Sequence, residues 1–225
     1  MKSLIKCFKL LKYSAQLKRS IIFMVIIGIC GFFMEFASSE SQSFIGGFYI
    51  FLFPVMIGQM LFTLSMSGLI QSSSYKKKLQ TGFPFMVQLP ITGISLFVVI
   101  AHRAWIVKHG TPGISDAENY TSQAAYIFWL GVIIFFSLVY FGVCYKFFVA
   151  SLVVFCIIVA VVMTGMHNEY LGLNSIVGKS FEVSVAITVI LYLLGNLVSY
   201  LISNLLYKCD MSEYMIKRTV GKWAN

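Results

Sequence analysis

The stretch that decides the fold is Val183–Tyr207, VSVAITVILYLLGNLVSYLISNLLY, which runs 25 residues without a charge. A helix needs about 20 residues to cross the ~30 Å hydrocarbon core of a bilayer, so this run is long enough to span one. Within it Ser184, Thr188, Tyr192, Asn196, Ser199 and Ser203 recur at three- or four-residue steps with Gly195 beside them, which places them on one helical face. Such a stripe serves either close helix–helix packing or a solvated pathway.

Working outward, five further apolar runs appear at Ile21–Phe36, Phe44–Ile70, Ile91–Val107, Ala124–Val143 and Phe147–Met166. The second repeats the polar spacing more weakly at Gln59, Thr63 and Ser67, after an expected kink at Pro54 and Gly58. Of the 225 residues, 59% are hydrophobic and 11% charged. Soluble domains average about 45–50% apolar and about 25% charged, so lipid is the expected solvent. The expected fold class is an all-α membrane protein with six transmembrane helices.

The distribution of cations tests that count. With the N-terminus inside, 14 of the 17 Lys and Arg residues fall in cytoplasmic segments, leaving Arg103, Lys108 and Lys179 outside. The outer side takes six of the eight acids: Glu35, Glu40, Asp116, Glu118, Glu169 and Glu182. This is the positive-inside pattern, and it predicts six spans with both termini cytoplasmic in a bacterial cell membrane. The formal charge of +9 follows from these juxtamembrane runs and implies no nucleic-acid partner.

Residues 1–20 form a segment of their own. Leu4, Cys7, Phe8, Leu11 and Ala15 share one helical stripe, with Lys2, Lys6, Lys9 and Lys12 largely on the other side. The pattern predicts an amphipathic helix in the cytoplasmic interface, its lysines toward anionic headgroups. A basic leader with no further role is the alternative. Ala37-Ser38-Ser39 loosely imitates a signal-peptide cleavage site, but the basic region is too long, and the first run is read as a retained helix. The expected layout is an interfacial helix over 1–20, a membrane domain over 21–207 with a basic loop at 71–90, and a basic tail over 208–225.

Signals for chemistry are few. Cys7, Cys30, Cys144, Cys156 and Cys209 show no CxxC spacing and predict free thiols. Gly172 through Ser180 imitates a phosphate loop, but with five residues rather than four between its glycines and no strand before it. Zinc-protease and nucleophile-elbow motifs are absent, and His102, His109 and His167 share no ligand spacing. Asn119-Tyr120-Thr121 is a formal glycosylation sequon of a kind that arises by chance. Arg103 lies near the end of the third run, where it is expected to snorkel to the outer headgroups; a functional buried charge is the alternative.

Taken in order, the parts resemble a known layout. After the second run comes the basic loop Ser74-Tyr75-Lys76-Lys77-Lys78-Leu79-Gln80, followed by Phe83-Pro84-Phe85-Met86-Val87-Gln88-Leu89-Pro90-Ile91-Thr92. Over nearly the whole chain this resembles the compact permease subunits of ABC-2 type exporters, especially small Gram-positive exporters of phenol-soluble modulins and bacteriocins. In that family the Leu-Pro-hydrophobic-Ser/Thr stretch is often followed by a basic residue, where this chain has Gly93. The resemblance implies two permeases, identical or paralogous, and two separate ATPase subunits that carry ATP and Mg. The loop would then be the coupling helix seated in the ATPase, with Tyr75, Lys76, Lys77, Lys78, Leu79, Phe83, Pro84 and Phe85 at the contact. Residues 167–182 would dip back into the membrane at the outer mouth. Gln59, Thr63, Arg103, Thr188, Tyr192, Asn196, Ser199 and Ser203 are candidates for a path that takes amphipathic peptides or lipid-like molecules outward.

Other classes fit the same pattern. A membrane substrate-binding subunit of a vitamin importer has a similar span count, although the basic N-terminal helix argues against it. A stand-alone immunity protein would differ only in needing no ATPase. An intramembrane enzyme is disfavoured, because no paired carboxylates, histidine cluster or activated nucleophile is visible.

Overall fold

The computed structural model describes residues 9–14, 17–37, 44–66, 68–167 and 180–219. Its helices are α1 (Leu17–Phe36), α2 (Ile45–Leu64), α3 (Gly68–Gln71), α4 (Lys76–Gln80), α5 (Gly82–His109), α6 (Asp116–Val143), α7 (Phe148–His167), α8 (Phe181–Leu206) and α9 (Glu213–Thr219). No strand occurs among the described residues. Among the described residues, five stretches are long and apolar enough to cross a bilayer: α1, α2, α4 with α5, α6, and α8. The chain is therefore an all-helical, multi-pass membrane protein. α7 is a further apolar helix.

α6 stands at the centre, with α8 along its length and α7 on another flank. α2 packs on α5, and α1 leans on α2. Val55, Leu96, Val99, Ile127, Leu130 and Ile134 fill the space between α2, α5 and α6. The outward faces are as apolar as the core: Phe97 is 70% exposed and Leu205 77%. Exposure on that scale in so many large side chains suits contact with acyl chains, not water.

Close helix approach rests on glycines. A β-carbon on Gly131 would lie 2.6 Å from Thr188 Oγ1, and one on Gly142 2.5 Å from Ser199 Oγ. Without a hydrophobic drive between helices in lipid, such small-residue contacts are what let backbones pack and side-chain hydrogen bonds form.

The stretch 82–90, expected as loop, instead forms the first turns of α5. Pro84 is no obstacle, since the opening N–H groups of a helix have no intrahelical acceptor. Pro90 does interrupt the ladder, and the neighbouring carbonyls take side-chain donors instead: the Tyr192 hydroxyl of α8 donates to Leu89 O at 2.5 Å, and Thr92 Oγ1, one turn on in α5, to Gln88 O at 2.7 Å. The connection after α5 is correspondingly short. Gly110 (φ 74°) and Gly113 (φ 83°) take positive φ, which glycine adopts without a Cβ penalty, to end one helix and turn toward the next, and Ser115 caps α6 by accepting from Glu118 N.

Of the expected N-terminal helix, Lys9, Lys12 and Leu11 are described, and Lys2 and Lys6 lie outside the described residues. Residues 9–11 are helical, and Leu10 and Leu11 pack on Leu61, Leu64, Leu79 and Val87. Ser14 Oγ donates to Met60 O at 3.0 Å, tying the segment to the end of α2. Of the segment expected to dip into the outer mouth, 168–179 likewise lies outside the described residues.

Candidate functional site

Two polar assemblies stand out, one at each end of the bundle. At the end where α1 finishes and α2 begins, Glu35 and Arg103 are fully buried, at 0% and 1% exposure. Arg103 Nε donates to Glu35 Oε1 at 2.7 Å and Nη2 to Oε2 at 2.9 Å, the bidentate geometry a guanidinium offers a carboxylate. The Tyr126 hydroxyl donates to Glu35 Oε2 at 2.5 Å, and the Arg103 guanidinium lies 3.6 Å over the Tyr126 ring. His102 Nδ1 lies 3.0 Å from Glu35 Oε1, within hydrogen-bond reach of the same carboxylate.

The network extends along α6. Arg103 Nη1 donates to Gln123 Oε1 at 3.2 Å, and Asn119 Nδ2 to Ile106 O at 3.1 Å. Backbone fits around it: Gly47 N donates to the Tyr126 hydroxyl at 3.0 Å, and a β-carbon on Gly46 would lie 2.8 Å from Glu35 N. Residues from α1, α2, α5 and α6 therefore converge on one neutral ion pair.

Arg103 does not snorkel. Glu35, read from sequence as an outer-surface acid, is its partner, and the pair turns an expensive buried cation into a satisfied one. The sequon asparagine, Asn119, is 2% exposed and committed to the same network, so it offers no accessible acceptor for a glycan.

The polar stripe of α8 lies in the seam with α6 and α5. Thr188 Oγ1 donates to Ile127 O at 2.7 Å, Ser199 Oγ to Leu138 O at 2.7 Å and Ser203 Oγ to Gly142 O at 3.5 Å. Asn196 Nδ2 donates back to Tyr192 O at 2.9 Å. In α2, Thr63 Oγ1 donates to Met60 O at 2.8 Å, and Gln59 is half-buried with its carbonyl accepting from the Tyr145 hydroxyl at 3.4 Å. The Thr188, Ser199, Ser203 and Thr63 hydroxyls thus bond within the chain in this conformation, whereas the buried Asn196 Oδ1 has no partner among the described residues.

The other end carries a basic ledge. Tyr75, Lys77 and Lys78 are exposed and Lys76 is half-buried, whereas Leu79 and Gln80 are buried and lock α4 to the bundle. Lys146, in the turn between α6 and α7, donates to Gln80 Oε1 at 3.2 Å and to Cys209 O at 2.6 Å. One ammonium thus joins α4, the α6–α7 turn and the end of α8. Burial first, then the charge of Lys76, hold its pKa below the ordinary lysine value.

Phe83 is half-buried, and Pro84 and Phe85 are buried, with Phe85 edge-on to Phe62 and Tyr200. The accessible part of the expected coupling segment is thus Tyr75 through Lys78. Lys9 and Lys12 are exposed on the N-terminal segment, whose leucines pack against Leu79.

No group of three or more metal-ligating side chains occurs among the described residues. Cys30, Cys144, Cys156 and Cys209 are free thiols. Neither a protein-family model, a curated protein nor a solved structure matches the chain.

Proposed function

We propose that the chain is the transmembrane permease subunit of an ATP-driven exporter of the ABC-2 type, moving amphipathic peptides or lipid-like molecules out of a bacterial cell. The single observation that carries this reading is α4: adjacent lysines project from a short helix whose other side is locked into the bundle by Leu79, Gln80 and Lys146. A solvated basic loop needs no such anchorage. A helix that receives force from a partner does, because motion at α4 must reach the spans.

In this reading α7 is the sixth span, both termini are cytoplasmic, and the ledge faces the cytoplasm. Two ATPase subunits bind there and supply ATP and Mg chemistry that this chain's sequence offers no phosphate loop to perform. A second permease, identical or paralogous, completes the path. Thr188, Asn196, Ser199 and Ser203 would meet substrate only when α8 parts from α6 during the cycle, and the Glu35–Arg103 clasp would hold the far end while the ledge end moves.

The test is transport in inverted membrane vesicles containing the chain and a candidate ABC-type ATPase subunit from the same genome. ATP-dependent uptake of a fluorescent amphipathic helical peptide supports the reading. Uptake that ignores ATP, or none for peptides and lipid analogues alike, contradicts it. Co-purification with a bound vitamin would support the importer subunit instead.

A further inference from the structure

We infer that the basic end of α1 forms a binding site for one anionic phospholipid. A groove of about 610 Å³ opens there, lined by the polar Lys18, Arg19 and Ser20 and the apolar Ile22, Phe23, Ile26 and Met56. Both cations are exposed, and among the described residues neither has a carboxylate within ion-pair distance. Cations above an apolar channel match the division of a phospholipid into phosphate and acyl chain.

The chemistry favours a lipid over a soluble anion or a second protein. Arg19 presents a planar fork suited to phosphate oxygens, and Lys18 adds a point charge one residue away. The apolar lining comes from Ile22, Phe23 and Ile26 of α1 and Met56 of α2, two helices long and apolar enough to span the bilayer, so it lies where acyl chains run. Only 6% of the apolar window of α1 is buried by the chain itself. A zwitterionic lipid carries a compensating ammonium that two adjacent cations repel, which makes net negative charge the selective feature.

The inference does not depend on the exporter reading. It is tested by native mass spectrometry of the delipidated full chain in detergent, titrated with phosphatidylglycerol and phosphatidylcholine of matched acyl chains. One tight phosphatidylglycerol adduct is expected, favoured about 30-fold over phosphatidylcholine, as two interfacial cations would provide. Lys18→Gln with Arg19→Gln should cut that preference to about threefold or less. Met56→Trp, which fills the groove, should weaken both lipids. Replacing Lys76, Lys77 and Lys78 with Gln should leave the preference intact.

Equal binding of the two lipids by the native chain would overturn the site. So would a preference that survives the Lys18/Arg19 double variant, or one that disappears with the α4 lysines. Because Lys18 and Arg19 are exposed, their replacement leaves folding unchanged, which thermal unfolding in phosphatidylcholine nanodiscs checks directly.

Discussion

Arg103 and Glu35, 68 positions apart in sequence, form a two-pronged ion pair at 2.7 and 2.9 Å in which neither side chain reaches the surface. The pair joins α5 to the last turn of α1, a helix that otherwise touches mainly α2. Removing one partner strands the other's charge, whereas removing both leaves only the uncharged side chains of Tyr126 and Gln123 and the His102 ring to find new partners. Glu35→Met or Arg103→Met alone should therefore destabilise the chain by about 3–5 kcal/mol, and the double variant should recover at least half of that loss. Thermal unfolding of the four proteins in nanodiscs closes the cycle.

Tyr126 supports the pair from α6 by donating to Glu35 while accepting from Gly47 N. Tyr126→Phe keeps the ring beneath the guanidinium but leaves the Gly47 amide without its acceptor. The expected cost is about 1–3 kcal/mol, smaller than loss of either charge. An equal or larger effect would show that the hydroxyl counts for as much as either charge.

Glycine at the α6–α8 seam makes a sharper geometric prediction. A β-carbon at Gly131 would meet Thr188 Oγ1 at 2.6 Å and its Cα at 2.9 Å, so Gly131→Ala must push the helices apart. A loss of about 1–3 kcal/mol is expected. At Gly82, the first residue of α5, a β-carbon meets nothing within 4 Å. Gly82→Ala should be neutral or slightly stabilising by the same measurement.

The helices were legible in the sequence because apolar length is a local property. The run at 183–207 emerges as α8 within two residues at its start and one at its end. The face shared by Thr188, Ser199 and Ser203 was legible too, but not the α6 carbonyls it meets, since a 3.6-residue period names a face and not its neighbour. Arg103 was misread for the same reason. Seen alone near a helix end, a cation is expected to reach for headgroups, and only the arrival of Glu35, Tyr126 and Gln123 from other helices makes burial cheaper. A usable signal was present: an acid closing the first run and a base near the end of the third, placed at the same depth. Pro84 and Pro90 led residues 82–90 to be read as loop, because proline ends helices in general but is tolerated in a first turn and, at Pro90, beside the side chains of Tyr192 and Thr92.

Lys146 gives a pH dependence with a definite sign. Its pKa in the fold lies below the ordinary lysine value, through burial and then through Lys76, so the folded chain binds fewer protons than the unfolded one between those two values. Stability should rise with pH across that window and be lower below it. Lys76→Gln removes the second cause, so the rise should become shallower in unfolding measured from neutral pH upward. An unchanged slope would remove Lys76 from the account.

The central claim is that α4 is the seat of an ATPase partner. The most direct measurement is co-expression of the tagged chain with candidate ABC-type ATPase subunits from the same genome, followed by pull-down of the native chain and of a variant with Lys76, Lys77 and Lys78 replaced by Gln. Because Lys77 and Lys78 are exposed and Lys76 only half-buried, the variant should fold as the native chain does. A stoichiometric complex with the native chain that falls at least tenfold in the variant is the predicted result. An ATPase that never co-purifies, or one that binds both proteins equally, would contradict it.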